Sequence, residues 1–209
     1  MLLATLYDNL KNKDKVITGA KVQTVNTLLG GVEVATLDGQ VFKGDLVVGA
    51  DGVYSTIRKE MWRLVDEMHN ESFPQKDWND AYCAYKCIFG ISSPIERMAH
   101  GCAHNIMNQN YSYLVITGPG GRIYWFLFIK LARRTYGDDI PKYTKADEQT
   151  LAKEHALDPI IPGVTFKDLY EHKISSVLTP LHEYTLSKWH LGRSFLVGDS
   201  SHKVSQTRG

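Results

Sequence analysis

Leucines at positions 2, 3, 6 and 10 recur at helical spacing and predict an amphipathic helix over residues 2–11. Three strand-like runs follow, 21–27, 31–37 and 41–48, separated by the turn signals "LGG" and "DGQ", and predict a small β-meander. Leu46 to Ala50 is continuously apolar, as expected of a strand covered on both faces. Asp51-Gly52 then turns the chain, Ser55 is suited to an N-cap, and Thr56 to Val65 has helical spacing. From Ala81 to Ile129 the pattern is strand-like, with a hairpin turn at Pro119-Gly120-Gly121 and the longest apolar run, Ile123 to Ile129, as a buried strand. A helix is predicted over 145–158, a break over Pro159 to Gly163, and a short helix from Phe166 to Leu169. Ser187 to Gly192 reads as a link to a last strand, Ser194 to Val197.

Composition excludes more than it selects. The 209 residues carry a formal net charge of +1, which is no footprint for nucleic acid. The densest basic group, Lys130, Arg133 and Arg134, reads as a solvated face. No apolar run reaches the ~18 residues of a membrane span, and Asp8 interrupts the opening too early for a signal peptide. Cys83, Cys87 and Cys102 are few and odd in number, which suits a reducing compartment.

Three familiar chemistries fit poorly. Cys83, Cys87, Cys102, His100 and His104 are zinc-type residues. On a strand at about 3.3 Å per residue, however, Cys83 and Cys87 stand roughly 13 Å apart, too far to share one ion. No metal is expected. Asp199, Ser200, Ser201 and His202 are successive neighbours, and a nucleophile–base–carboxylate relay needs separate elements; the serines read as caps. The seventeen glycines include no G-x-G-x-x-G and no Walker A pattern. What remains is a pair of carboxylates, Asp51 beside Gly52 and Asp199 beside Gly198, each following an apolar strand. Open α/β sheets bind ligands at that end of their strands, where a carboxylate can accept hydrogen bonds from a ribose or ribitol hydroxyl. Glycine beside it lets a ligand approach the backbone.

Two stretches carry a resemblance. "GADGVYSTIR" is similar to the D-G-x-x-S-x-x-R signature of the flavin-dependent aromatic hydroxylase superfamily, with Asp51, Gly52, Ser55 and Arg58 in place. "GRSFLVGDSSHKVSQTRG" resembles that superfamily's second signature through Gly192, Arg193, Gly198, Asp199, Ser200, Ser201, His202 and Gly209. "AYKCIFGISSP" and "GPGGRIYWFLFIK" resemble more narrowly the fungal branch that oxidises prenylated polycyclic substrates in meroterpenoid and indole-diterpene pathways. Gln206 departs from the family's proline, and neither the G-x-G-x-x-G unit nor the arginine ahead of the first helix is found in this sequence. The expectation is the middle of a longer monooxygenase, shortened at both ends.

The resemblance implies an α/β plus β-sheet fold: an incomplete FAD-binding domain (1–71, with return strand 186–209) and a mixed β-sheet substrate domain (72–185). It implies FAD as cofactor, NAD(P)H and O2 as co-substrates, and epoxidation or hydroxylation of a prenylated small molecule, in the cytoplasm or at the cytosolic face of an internal membrane. Asp199 with Gly198 would hold the ribitol or pyrophosphate region, while Asp51, Gly52 and Arg58 would lie near cofactor and NAD(P)H. The β-rich segment would floor the substrate pocket, with Lys86, Tyr111 and Tyr113 as the polar groups near substrate. On a strand Lys86 points away from Tyr85 and Cys87, and Tyr111 and Tyr113 share a face. The alternative is a non-catalytic remnant or binding module without flavin.

Overall fold

A computed structural model describes residues 2–68 and 81–204. Gln206, Gly209 and the expected boundary at 71/72 lie outside the described residues. The elements in chain order are α1 (Leu2–Asp8), β1 (Val22–Thr27), β2 (Val32–Thr36), β3 (Val41–Gly44), β4 (Val47–Gly49), α2 (Thr56–Glu67), β5 (Tyr82–Ser92), β6 (Ala103–Met107), β7 (Tyr111–Thr117) and β8 (Ile123–Tyr136). They continue with α3 (Lys145–Glu154), β9 (Pro159–Ile161), β10 (Val164–Thr165), α4 (Phe166–Glu171), β11 (Lys173–Thr185), β12 (His190–Leu191), β13 (Ser194–Leu196) and β14 (His202–Lys203). Met1–Pro74 with Ser187–His202 makes one compact unit, and Gln75–Leu186 with Lys203–Gly209 makes another.

In the first unit β1, β2 and β3 form the expected antiparallel meander. The third predicted run divides, because after Gly44 the chain leaves the meander and Val47–Gly49 pairs in parallel with Ser194–Leu196. Arg193 secures the crossing: its guanidinium donates to the Asp45 carbonyl at 3.0 Å, and its own carbonyl accepts from Val47 N at 2.9 Å. Helix α2 buries Ile57, Met61, Leu64 and Val65, the i, i+4, i+7, i+8 stripe of an amphipathic helix. It meets the pair at Gly49, where a Cβ would stand 2.7 Å from Ile57 Cβ, so glycine permits the approach. The helix also completes the free edge of β1. Glu60 accepts from Val25 N at 3.0 Å and Arg63 donates to the Val25 carbonyl at 2.8 Å, as a neighbouring strand would. Helix α1 ends sooner than its leucines predict, with none of its residues buried.

In the second unit β11, β5, β8, β7 and β6 lie side by side in that order. Its core gathers on one face, where Ile88, Tyr113, Val115, Ile123, Trp125 and Leu127 pack with Leu151 and Ala152 of α3 and Phe166 and Leu169 of α4. Gly90 stands opposite Trp125, and a Cβ there would lie 2.0 Å from the indole; its absence seats the ring. The indole N–H donates to Ser92 Oγ at 2.7 Å, which donates in turn to the Leu169 carbonyl at 2.6 Å. Cys83 and Cys87 are both buried, and burial pushes both thiols up. The expected break at 159–163 is a small hairpin of β9 and β10. Strand β11 was not separately visible in the sequence, because Pro180 and the serines at 175 and 176 interrupt the strand pattern.

Candidate functional site

The parallel pair brings the two signatures together. Gly49 of β4 stands beside Leu196 of β13, so Asp51 and Asp199 follow within two and three residues at the same carboxyl edge. Beyond the last pair, Val197 N still donates to the Gly49 carbonyl at 3.0 Å. Ser200 is fully buried and closes the junction: its hydroxyl donates to the Gly49 carbonyl at 2.6 Å and accepts from Val197 N at 3.0 Å. Arg58, 1% exposed, donates from one amino group to the Ser200 carbonyl at 2.8 Å and from the other to the Val53 carbonyl. One signature's arginine thus holds the other signature's loop.

The Asp51 carboxylate opens α2. Asp51 accepts from Thr56 N at 2.6 Å and Ile57 N at 3.1 Å, and Ser55 Oγ accepts from Arg58 N at 3.0 Å. Three of the orphan donors that open α2 are satisfied in this way. Asp199 lies within a single 3₁₀ turn, Gly198–Ser200, and is exposed, as is Asp51. Gly198 and Gly52 have φ of +61° and +76°, and a Cβ on either would meet nothing within 4 Å. The backbone there is open to a ligand. Exposed donors at a glycine, an exposed carboxylate and a strand-end position fit the hydroxyls and phosphates of a dinucleotide. Nearby the Trp189 and His202 rings stack at 5.3 Å and 10°. No spacing in the sequence had singled out that contact.

Lys86, Tyr111 and Tyr113 do come together, in the second unit, but on the face that carries the core. The register sets Lys86 beside Ile129 and Tyr111 in one row, and Ile88 beside Leu127 and Tyr113 in the next. Tyr113 is 1% exposed, and its hydroxyl donates to Asp158 Oδ2 at 2.7 Å. The same oxygen contacts His155 Nδ1 at 2.7 Å. Burial, then the Asp158 carboxylate, pushes the Tyr113 phenol well above its usual range, and the same causes in the same order raise Tyr111. The Lys86 ammonium sits 5.5 Å from the Tyr143 ring centre, and burial pushes that phenol up to about 12. These three side chains therefore support the layer beneath the sheet.

The opposite face is apolar and half-buried. Its rows are Ile91, Tyr124, Ile116; Phe89, Phe126, Leu114; and Cys87, Phe128, Ser112. Phe89 meets Phe126 edge-on at 5.1 Å, and Phe126 stacks on Phe128 at 6.0 Å and 6°. Sequence reasoning passed over these phenylalanines because alternation tells that two faces differ, not which of them is covered.

No known family profile matches the chain. Over its whole length it is 37% identical to the FAD-dependent monooxygenase spyC of Aspergillus fumigatus and 36% identical to the FAD-dependent monooxygenase prhF of Penicillium brasilianum. It spans 44% of each, less than half the length of the curated relatives it matches. Among solved structures, Klebsiella pneumoniae HpxO complexed with FAD and uric acid superposes with a TM-score of 0.64 at 20% identity, covering 98% of this chain and 48% of that one. That likeness concerns the fold, which is the one used by flavin-dependent hydroxylases. The resemblance read from the two signatures thus extends from end to end of the chain.

Proposed function

We propose that these residues are part of an FAD-dependent monooxygenase that epoxidises or hydroxylates a prenylated polycyclic intermediate of fungal secondary metabolism, in a meroterpenoid pathway. The observation that carries this reading is the junction of the two signatures at one carboxyl edge, with the open Gly198 backbone and the exposed Asp199 beside it. Asp199 and the Gly198 backbone would hold the cofactor. Bound FAD, reduced by NAD(P)H, supplies activation of O2 and transfer of one oxygen atom to an electron-rich ring or alkene. Arg58 positions the Asp199 loop through the Ser200 carbonyl, while Asp51 fixes the start of α2 and so the Gly52 turn. The half-buried face of Phe89, Leu114, Phe126 and Phe128 offers substrate an apolar, water-poor surface. Lys86, Tyr111 and Tyr113 shape that surface from beneath.

The test is expression of the sequence joined to its upstream and downstream genomic flanks. A yellow protein with flavin absorbance is expected, and Asp199→Ala in it should weaken FAD binding about 10- to 150-fold. A protein that stays colourless and takes up no FAD would end this reading.

One observation favours a second reading, a binding module without flavin. Leu2 and Leu3 are 75% and 81% exposed, and Leu46, just ahead of the parallel pair, and Val48 within it are each 56% exposed. Apolar surface of this kind seeks a partner. Under this reading the 209-residue chain alone self-associates in sedimentation; a monomer that binds FAD and consumes NADPH contradicts it.

A further inference from the structure

The loop that presents Asp199 is met at both ends by one residue that belongs to neither signature. Trp189 stands directly ahead of β12, and its carbonyl accepts from Leu196 N at 2.8 Å, beside the end of β13. The chain then leaves β13, turns through Gly198–Ser200 and returns at His202. There the His202 ring lies flat on the Trp189 indole, with 5.3 Å between ring centres and 10° between planes. Residues 197–201 therefore form a loop whose start meets the backbone of Trp189 and whose end meets its side chain. A second ring pair, His190 on Phe195 at 5.7 Å and 28°, braces the same β12–β13 hairpin. From the inside, Arg58 and the Ser200 hydroxyl hold the middle of the loop.

The loop contains Gly198 at a φ of +61°, a residue whose backbone is the freest and the costliest to fix. A ligand binds such a loop with an affinity reduced by the fraction of time the loop spends in the right shape. One ring pair is worth about two- to tenfold in an equilibrium. The Trp189 side chain is 42% exposed and His202 is exposed, so the pair lies at the surface, beside the loop, and outside the core. We propose that Trp189 is a positioning residue for the cofactor: stacked on His202, it closes the base of the loop and holds Gly198 and Asp199 in the shape that receives FAD. The role toward FAD rests on the flavoprotein reading; the closure of the loop does not.

Hydrogen exchange followed by mass spectrometry tests the closure in the 209-residue chain, with no cofactor added. The Val197 and Ser201 amides donate to the Gly49 and Gly198 carbonyls, and in Trp189→Leu they should exchange about twofold faster or more. His202→Leu should do the same, and the double variant should add nothing further, as one shared contact requires. Trp189→Phe keeps a ring against His202 and should retain most of the protection. Peptides of the β1–β3 meander should be unaffected. Unchanged exchange at 197–201, additive effects of the two leucine variants, or loosening of the meander as well overturns the proposal. In the genomically extended protein, titration with FAD should show Trp189→Leu binding about two- to tenfold more weakly, with Trp189→Phe near wild type. Weaker binding without faster loop exchange overturns the positioning role by making Trp189 a direct contact. Faster exchange with unchanged FAD affinity overturns it too, and leaves the flavoprotein reading standing. An extended wild-type protein that stays colourless ends the flavoprotein reading and the role toward FAD with it, while the exchange results still decide the closure.

Discussion

The first unit concentrates recognisable signatures at one strand edge and leaves much of its apolar surface exposed. The second unit holds neither of the two signatures and has the dense core. In the first, polar bonds between loops decide the geometry: Arg58 to Ser200 and Val53, Ser200 to Gly49, Asp51 to the start of α2. In the second, ring packing around Trp125 decides it. The contrast teaches that motif density and core density fall in different units. Substitutions in the two units should then differ in kind.

The largest effect is expected at Trp125, which is fully buried and hydrogen-bonded to Ser92. Trp125→Ala should lower stability by about 3–5 kcal/mol in chemical denaturation. Next comes Arg58→Met, which leaves the Ser200 and Val53 carbonyls without their donor and should cost about 2–4 kcal/mol. If Arg58→Met proved the more damaging, the contrast between the units would be reversed.

A pH titration separates them further. Glu148 is 1% exposed; burial would raise its carboxyl, but hydrogen bonds from Lys145, Ser176 and Tyr170 outweigh that and hold it below the usual range. A depressed carboxyl stabilises above its unfolded value and loses that contribution as pH falls toward the folded one. Wild type should therefore exceed Glu148→Gln by about 1–2 kcal/mol at neutral pH, and the gap should close below about pH 4. A gap independent of pH would show that Glu148 acts through shape.

Smaller effects distinguish the two aspartates. Asp51→Ala removes a helix cap and should cost about 1 kcal/mol, with Asp51→Asn retaining most of it. Asp199→Ala should weaken cofactor affinity in the extended protein more than Asp51→Ala does. Equal losses of affinity at the two positions would remove the distinction between them.

Much of this was readable before any coordinates. The Ser55 cap, the α2 stripe, the meander, the hairpin at Pro119–Gly121 and the strand ends carrying Asp51 and Asp199 depend on residues close in sequence. Local backbone preference and short-range bonds determine such features, and the chain itself encodes them. The parts that were not readable depend on distant partners. Lys86, Tyr111 and Tyr113 are the polar groups expected near substrate, and their two rows lie on the side where the core gathers with α3 and α4.

The sequence by itself determined the two signatures, their flanking strands and the alternation of every strand in the long sheet. Only the tertiary structure decided which face the helices cover, how Arg58 and Ser200 tie the two signature loops together, and where β8 leaves its ladder with β5. The reason is physical: alternation has a period of two whichever side is buried, and the burying side chains arrive from elements tens of residues away.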